Sequence, residues 1–80
     1  MNLSQAKINT PCAIKSIKIK DENFKIRLME LGLVVGTQIM VKHKSLLKKT
    51  LLVVFSNSCF TLKENIAKEI EVVYDWTKKW

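Results

Sequence analysis

The apolar positions near the start of the chain alternate and then change phase. Cys12 and Ile14 share one phase and Ile17 and Ile19 the other, which predicts a strand over residues 12–20 with a bulge or bend near Ser16. Asp21 follows as an N-cap, and Glu22 stands in the first turn, where a negative charge suits the helix dipole. Phe24, Leu28 and Leu31 recur at i, i+4 and i+7, and Met29 widens the stripe. A helix is expected over residues 22–31, with Leu28 and Leu31 anchoring it on the core. Gly32 takes the C′ position, where a left-handed residue closes a helix. Residues 33–37 then read as a tight turn in which Gly36 supplies positive φ.

The second half returns to period two. Residues 38–43 read as a strand with Ile39 and Val41 on one face and Met40 on the other. Residues 44–50 form a lysine-rich loop interrupted by Leu46 and Leu47. Residues 51–55 and 59–62 read as two more strands around a turn at 56–58. Thr61 and Glu64 have capping-box spacing, so a short helical turn is expected near residues 62–68. Residues 70–74 supply the last strand. The order β-α-β-β-β-(short α)-β, with turns every 8–12 residues, favours a mainly β fold: a small, strongly bent barrel of five short strands with an inserted helix. One domain over residues 2–74 and a tail over 75–80 are expected, with Trp76 and Trp80 serving either as a latch or as frayed chain.

Composition narrows the partners. Eighty residues fit one small domain, and 48% hydrophobic content is ordinary for a globular chain. The longest apolar run, residues 51–55, is far below the roughly 18 a membrane span needs. The first ten residues contain no apolar h-region, so a cytoplasmic location is expected. Cys12 and Cys59 lie 47 positions apart and are expected to be buried, reduced thiols. The net charge of +7 favours anionic partners. Between Leu31 and Lys63 there is no acid, while Lys42, Lys44, Lys48, Lys49 and Lys63 add positive charge.

Catalytic constellations are missing, so no enzyme is expected. His43 is the sole histidine, no phosphate-binding glycine loop occurs, and both glycines are explained by backbone geometry. No metal site and no cofactor are expected either, because Cys12, His43 and Cys59 lack ligand spacing and lysines flank His43. Nucleic acid is a fairer competitor but disfavoured. The basic loop carries leucines rather than stacking aromatics, and thirteen lysines against one arginine provide little bidentate readout.

The stretch RLMELGLVVGT over residues 27–37, containing Arg27, Leu28, Leu31, Gly32 and Gly36, resembles the signature of the FeoA family. Leu3, Ala6 and Lys7 before it, and Leu62, Lys63, Ala67, Ile70 and Val72 after it, agree with that resemblance, which covers about residues 3–73. It implies an SH3-like barrel and a non-catalytic role in bacterial ferrous iron uptake, with the cytosolic GTP-binding region of an FeoB-type permease as partner. It also leaves two alternatives: a nucleic-acid-binding or regulatory small barrel, and a transition-metal-binding module related to the C-terminal domain of metal-dependent repressors. The family often carries glycine where this chain has Asn9, and a glycine-containing loop where it has residues 46–50.

The partner surface is expected on the strand at residues 51–55. If Leu51, Val53 and Phe55 face the core, Leu52 and Val54 point outward. Leu46 and Leu47 would enlarge that patch, and Lys42, Lys44, Lys48 and Lys49 would rim it. Self-association or the tail are the other ways to cover it.

Overall fold

The computed structural model of the chain describes residues 1–55 and 58–74. A 3-10 helix at Leu3–Gln5 precedes β1 (Cys12–Ile17), α1 (Glu22–Glu30), β2 (Gln38–Ser45), β3 (Thr50–Phe55), β4 (Ser58–Lys63), α2 (Glu64–Ala67) and β5 (Ile70–Tyr74). All paired strands run antiparallel in one sheet of order β4-β3-β2-β1-β5. Leu62 of β4 and Ile70 and Val72 of β5, from opposite edges, share one core cluster with Ile14, Val41 and Val53. The sheet therefore curls around a single core, as the SH3-like expectation requires. Among the described residues its edges, β4 and β5, are not paired to each other, so the barrel has an open seam there, and α2 links the two edge strands.

Local chemistry explains most boundaries. The β1 bulge lies between Ile14 and Ser16, where the phase change placed it. The strand ends at Ile17 rather than at residue 20, and Ile19 is nonetheless buried. Asp21 accepts a hydrogen bond from the Phe24 amide at 3.2 Å and starts α1. At the other end, Gly32 N–H donates to the Met29 carbonyl at 3.0 Å and Leu33 N–H to the Leu28 carbonyl at 2.9 Å. With Gly32 at φ +102°, this is a Schellman closure, in which the residues at C″ and C3 meet as a hydrophobic pair. Those residues are Leu33 and Leu28, each 1% exposed.

That geometry corrects the expected anchor. Leu31 is 50% exposed and Met29 49%, so the helix docks through Leu28 and half-buried Phe24, while Leu33 supplies the second anchor beyond the turn. Arg27 is also exposed; its carbonyl accepts from the Leu31 amide, and its charge sits in the last turn, where the dipole favours it. The next turn is type II over residues 34–37, with Gly36 at φ +94° and Thr37 N–H donating to the Val34 carbonyl at 3.0 Å. Gly36 N–H donates to the Ile14 carbonyl and Ile14 N–H to the Thr37 carbonyl, which fastens the turn to β1.

Three further expectations change. Lys63, not Thr61, is the N-cap of α2 and makes no side-chain capping bond; Thr61 is an exposed β4 residue opposite Leu52. Cys12 is buried as expected, but Cys59 is exposed, because it pairs with Val54 on the outer face. The N-terminal 3-10 helix was not legible from periodicity, although Leu3 and Ala6 are fully buried. The expectations for Trp76 and Trp80 lie outside the described residues.

Candidate functional site

The outer face of the sheet is built by alternation in β3. Leu51, Val53 and Phe55 are buried, and Leu52 and Val54 take the opposite face, half-buried. Val54 stands between Met40 and Cys59, and Leu52 between His43 and Thr61. Val54 and Met40 also line a shallow cleft of ≈ 180 Å³ with Pro11 and Phe55. At the end of this face the β2–β3 hairpin turns through residues 46–49. Leu46 is 89% exposed and Leu47 98%, with Lys48 and Lys49 exposed beside them. Asn9 has φ +63°, and within residues 46–50 Lys49 has φ +53°, so left-handed backbone occurs at Asn9 and at one position of that loop.

A bulge in β2 sorts the expected lysine rim. Val41 pairs with Val53 and His43 with Leu52, so Lys42 and His43 together oppose Leu52. Both are exposed. Lys44 then pairs with Leu51, in phase with the core, and its Nζ donates to the Ser4 carbonyl at 3.0 Å. Lys42, Lys48 and Lys49 thus flank the hairpin, while Lys44 is committed to the N-terminal segment.

A second apolar surface escaped the sequence reading. Ile26 and Met29 on α1, its C-cap Leu31, and Val34 and Val35 on the following turn are each at least 39% exposed. Ile17, Lys25, Met29, Val34 and Val35 line a cleft of ≈ 190 Å³ there. The signal that could have found it is the C3-to-C″ rule of the Schellman closure, which assigns the core contact to Leu28 and Leu33 and releases Leu31 and Met29.

Among the described residues no three of His, Cys, Asp and Glu form a group able to hold a metal ion. Glu71 is displaced from the ordinary range: a hydrogen bond and the charge of Lys18, whose Nζ lies 3.0 Å away, hold its carboxyl low. Partial desolvation opposes this, while the N-terminal amine and Lys15 reinforce it. No helix among the described residues is long and apolar enough to cross a membrane. The arrangement offers exposed apolar side chains with cationic neighbours, which suits docking to a protein surface.

Comparison with known proteins bears on the same fold. The FeoA domain model matches residues 1–74. Solved structures with the same architecture include the FeoA protein of Chlorobium tepidum, 28% identical at a TM-score of 0.85, over 94% of this chain and 70% of that one. Iron(II) transport protein A of Clostridium thermocellum is 26% identical at a TM-score of 0.83, over 95% of this chain but only 46% of that one. A zinc complex of FeoA from Stenotrophomonas maltophilia, described as a prokaryotic SH3 domain protein and a candidate ferrous iron transport activating factor, is 28% identical at a TM-score of 0.76, over 90% of this chain and 88% of that one. No functionally curated protein gives a significant match.

Proposed function

The chain belongs to the FeoA family, and from that premise we propose that it is a non-catalytic accessory protein of ferrous iron uptake, acting in the cytoplasm on the cytosolic part of an FeoB-type permease. The observation that carries the docking role is the hairpin tip. Two consecutive leucines stand 89% and 98% exposed beside Lys48 and Lys49, where a monomer gains nothing from them. Covering each is worth about 1.5–3 kcal/mol, enough for a transient contact when combined with charge attraction. Lys42, Lys48 and Lys49 supply the cationic rim, and Leu52 and Val54 extend the apolar face inward from the tip. An acidic region of the permease would complement that surface.

The test combines uptake and capture. Deleting the gene should lower ferrous iron uptake by the native cell, and the wild-type protein should restore it. The Leu46→Ser/Leu47→Ser variant should fold normally, fail to restore uptake and fail to co-purify the permease from detergent extract. Full restoration by that variant would show that the hairpin is not the docking surface, and unchanged uptake after deletion would remove the iron-transport reading itself.

A further inference from the structure

Among the described residues, the seam of the sheet leaves β4 with one edge that no strand pairs. Glu64 N–H donates to the Lys49 carbonyl at 2.8 Å and continues the register in which Thr50 faces Lys63. Hydrogen-bonded pairs recur at every second residue of an antiparallel ladder. Phe60 and Leu62 therefore turn their backbone groups toward β3, while Cys59 and Thr61 turn their N–H and C=O, and Lys63 its N–H, toward the open side. Beside that edge lies a cleft of ≈ 470 Å³ whose apolar lining is Ile19, Phe24, Phe60, Leu62 and Ile66. Its size falls in the usual range for ligand sites. Phe60 and Ile66 are half-buried, so apolar surface remains open within it.

Free strand edges are sites of strand addition, where main-chain bonds give affinity and alternate side chains enter adjoining pockets. Charge selects the occupant. Lys63 lines this cleft and also borders an adjoining one with Lys48 and Lys49, against a single acid there, Glu64. Asp21, the acid in the main cleft, already accepts the Phe24 amide. A second copy would bring like lysines together on chains of net charge +7. We propose that the β4 edge and its cleft bind an extended apolar segment of a partner protein, flanked by acidic residues, as an added strand. The proposal goes beyond the iron-uptake reading and does not rest on it.

A fluorescein-labelled peptide EEVTVTVEE is the probe, read by anisotropy against the full chain. Saturable binding is expected, weaker by about tenfold or more for KKVTVTVKK and for EEVPVPVEE. In amide NMR spectra the peptide should shift Cys59, Thr61 and Lys63. Thr61→Pro removes an outward N–H without touching the β3 ladder, a place where edge strands tolerate proline, and should abolish binding. Lys63→Glu, an exposed change, should weaken binding about tenfold and serves if Thr61→Pro fails to fold. Leu46→Ser/Leu47→Ser should bind the peptide normally, which separates this site from the hairpin. Lack of saturable binding, shifts confined to another face, or unchanged affinity in Lys63→Glu would overturn the proposal. So would a wild-type dimer in sedimentation velocity that becomes monomeric in Thr61→Pro, because the edge would then belong to a second copy.

Discussion

The Lys44 ammonium donates a 3.0 Å hydrogen bond to the backbone carbonyl of Ser4, forty positions away in the chain. The β2 bulge makes this contact possible, because it puts Lys44 in phase with the core face, from which the amine reaches the N-terminal segment. Removing the amine leaves a half-buried carbonyl with one partner fewer. Lys44→Met should therefore lower stability by about 1 kcal/mol, or about 4–8 °C in Tm. Thermal unfolding followed by circular dichroism measures it, and an unchanged Tm would mean that the bond contributes no net stability.

Leu28 and Leu31 make an internal contrast on one helix. Leu28→Ala should cost about 2–5 kcal/mol, because the side chain is 1% exposed and its loss leaves a cavity against Leu33. Leu31→Ala should cost about 0.5 kcal/mol, because half of that side chain already meets water. Urea unfolding of the two variants decides the matter; equal losses would contradict the Schellman anchoring.

The Lys18–Glu71 pair predicts a pH dependence. Lys18 and the N-terminal amine hold the Glu71 carboxyl below its ordinary 4.5, so the folded state binds its proton less readily than the unfolded chain does. The stabilisation is thus present above about 4.5 and is lost as the pH falls further through the depressed folded value. Tm should favour the wild type over Glu71→Gln at neutral pH, and the gap should narrow progressively as the pH falls below 4.5. Added salt should shrink it as well, since the pair is partly exposed. A gap that stays constant from neutral to acid pH would refute the assignment.

Gly36 tests strain without a clash. A Cβ built there meets no heavy atom within 4 Å, yet φ is +94°. Gly36→Ala should cost about 1–2 kcal/mol from the backbone alone, and Gly36→Asn less, because asparagine tolerates left-handed geometry. Chemical denaturation ranks the three proteins, and an asparagine variant less stable than the alanine variant would argue against backbone strain as the cause.

Local pattern was enough for the elements whose signals are local. The Asp21 cap, the Gly32 closure, the Gly36 turn, the alternation of β3 and the extent of β5 each depend on a few neighbouring residues. The candidate hairpin was legible too, since leucines flanked by lysines in a loop can be read without a fold. The β1 bulge was visible because the hydrophobic phase changes there. The β2 bulge was not, because after Val41 the polar residues 42–45 carry no phase to break.

Long-range packing decided the rest. Pairing Lys42 and His43 against Leu52 turns His43 outward and Lys44 inward, and only the position of β3 sets that register. Pairing with Val54 places Cys59 outside, although composition suggested burial. The curl that leaves the outer edge of β4 without a paired strand among the described residues, beside Ile19 and Phe24, depends on where α1 and α2 settle on the core. Periodicity along a chain states which residues share a face. Which face meets water, and which edge stays open, follows from how distant segments fill one core, and that is a property of the folded chain alone.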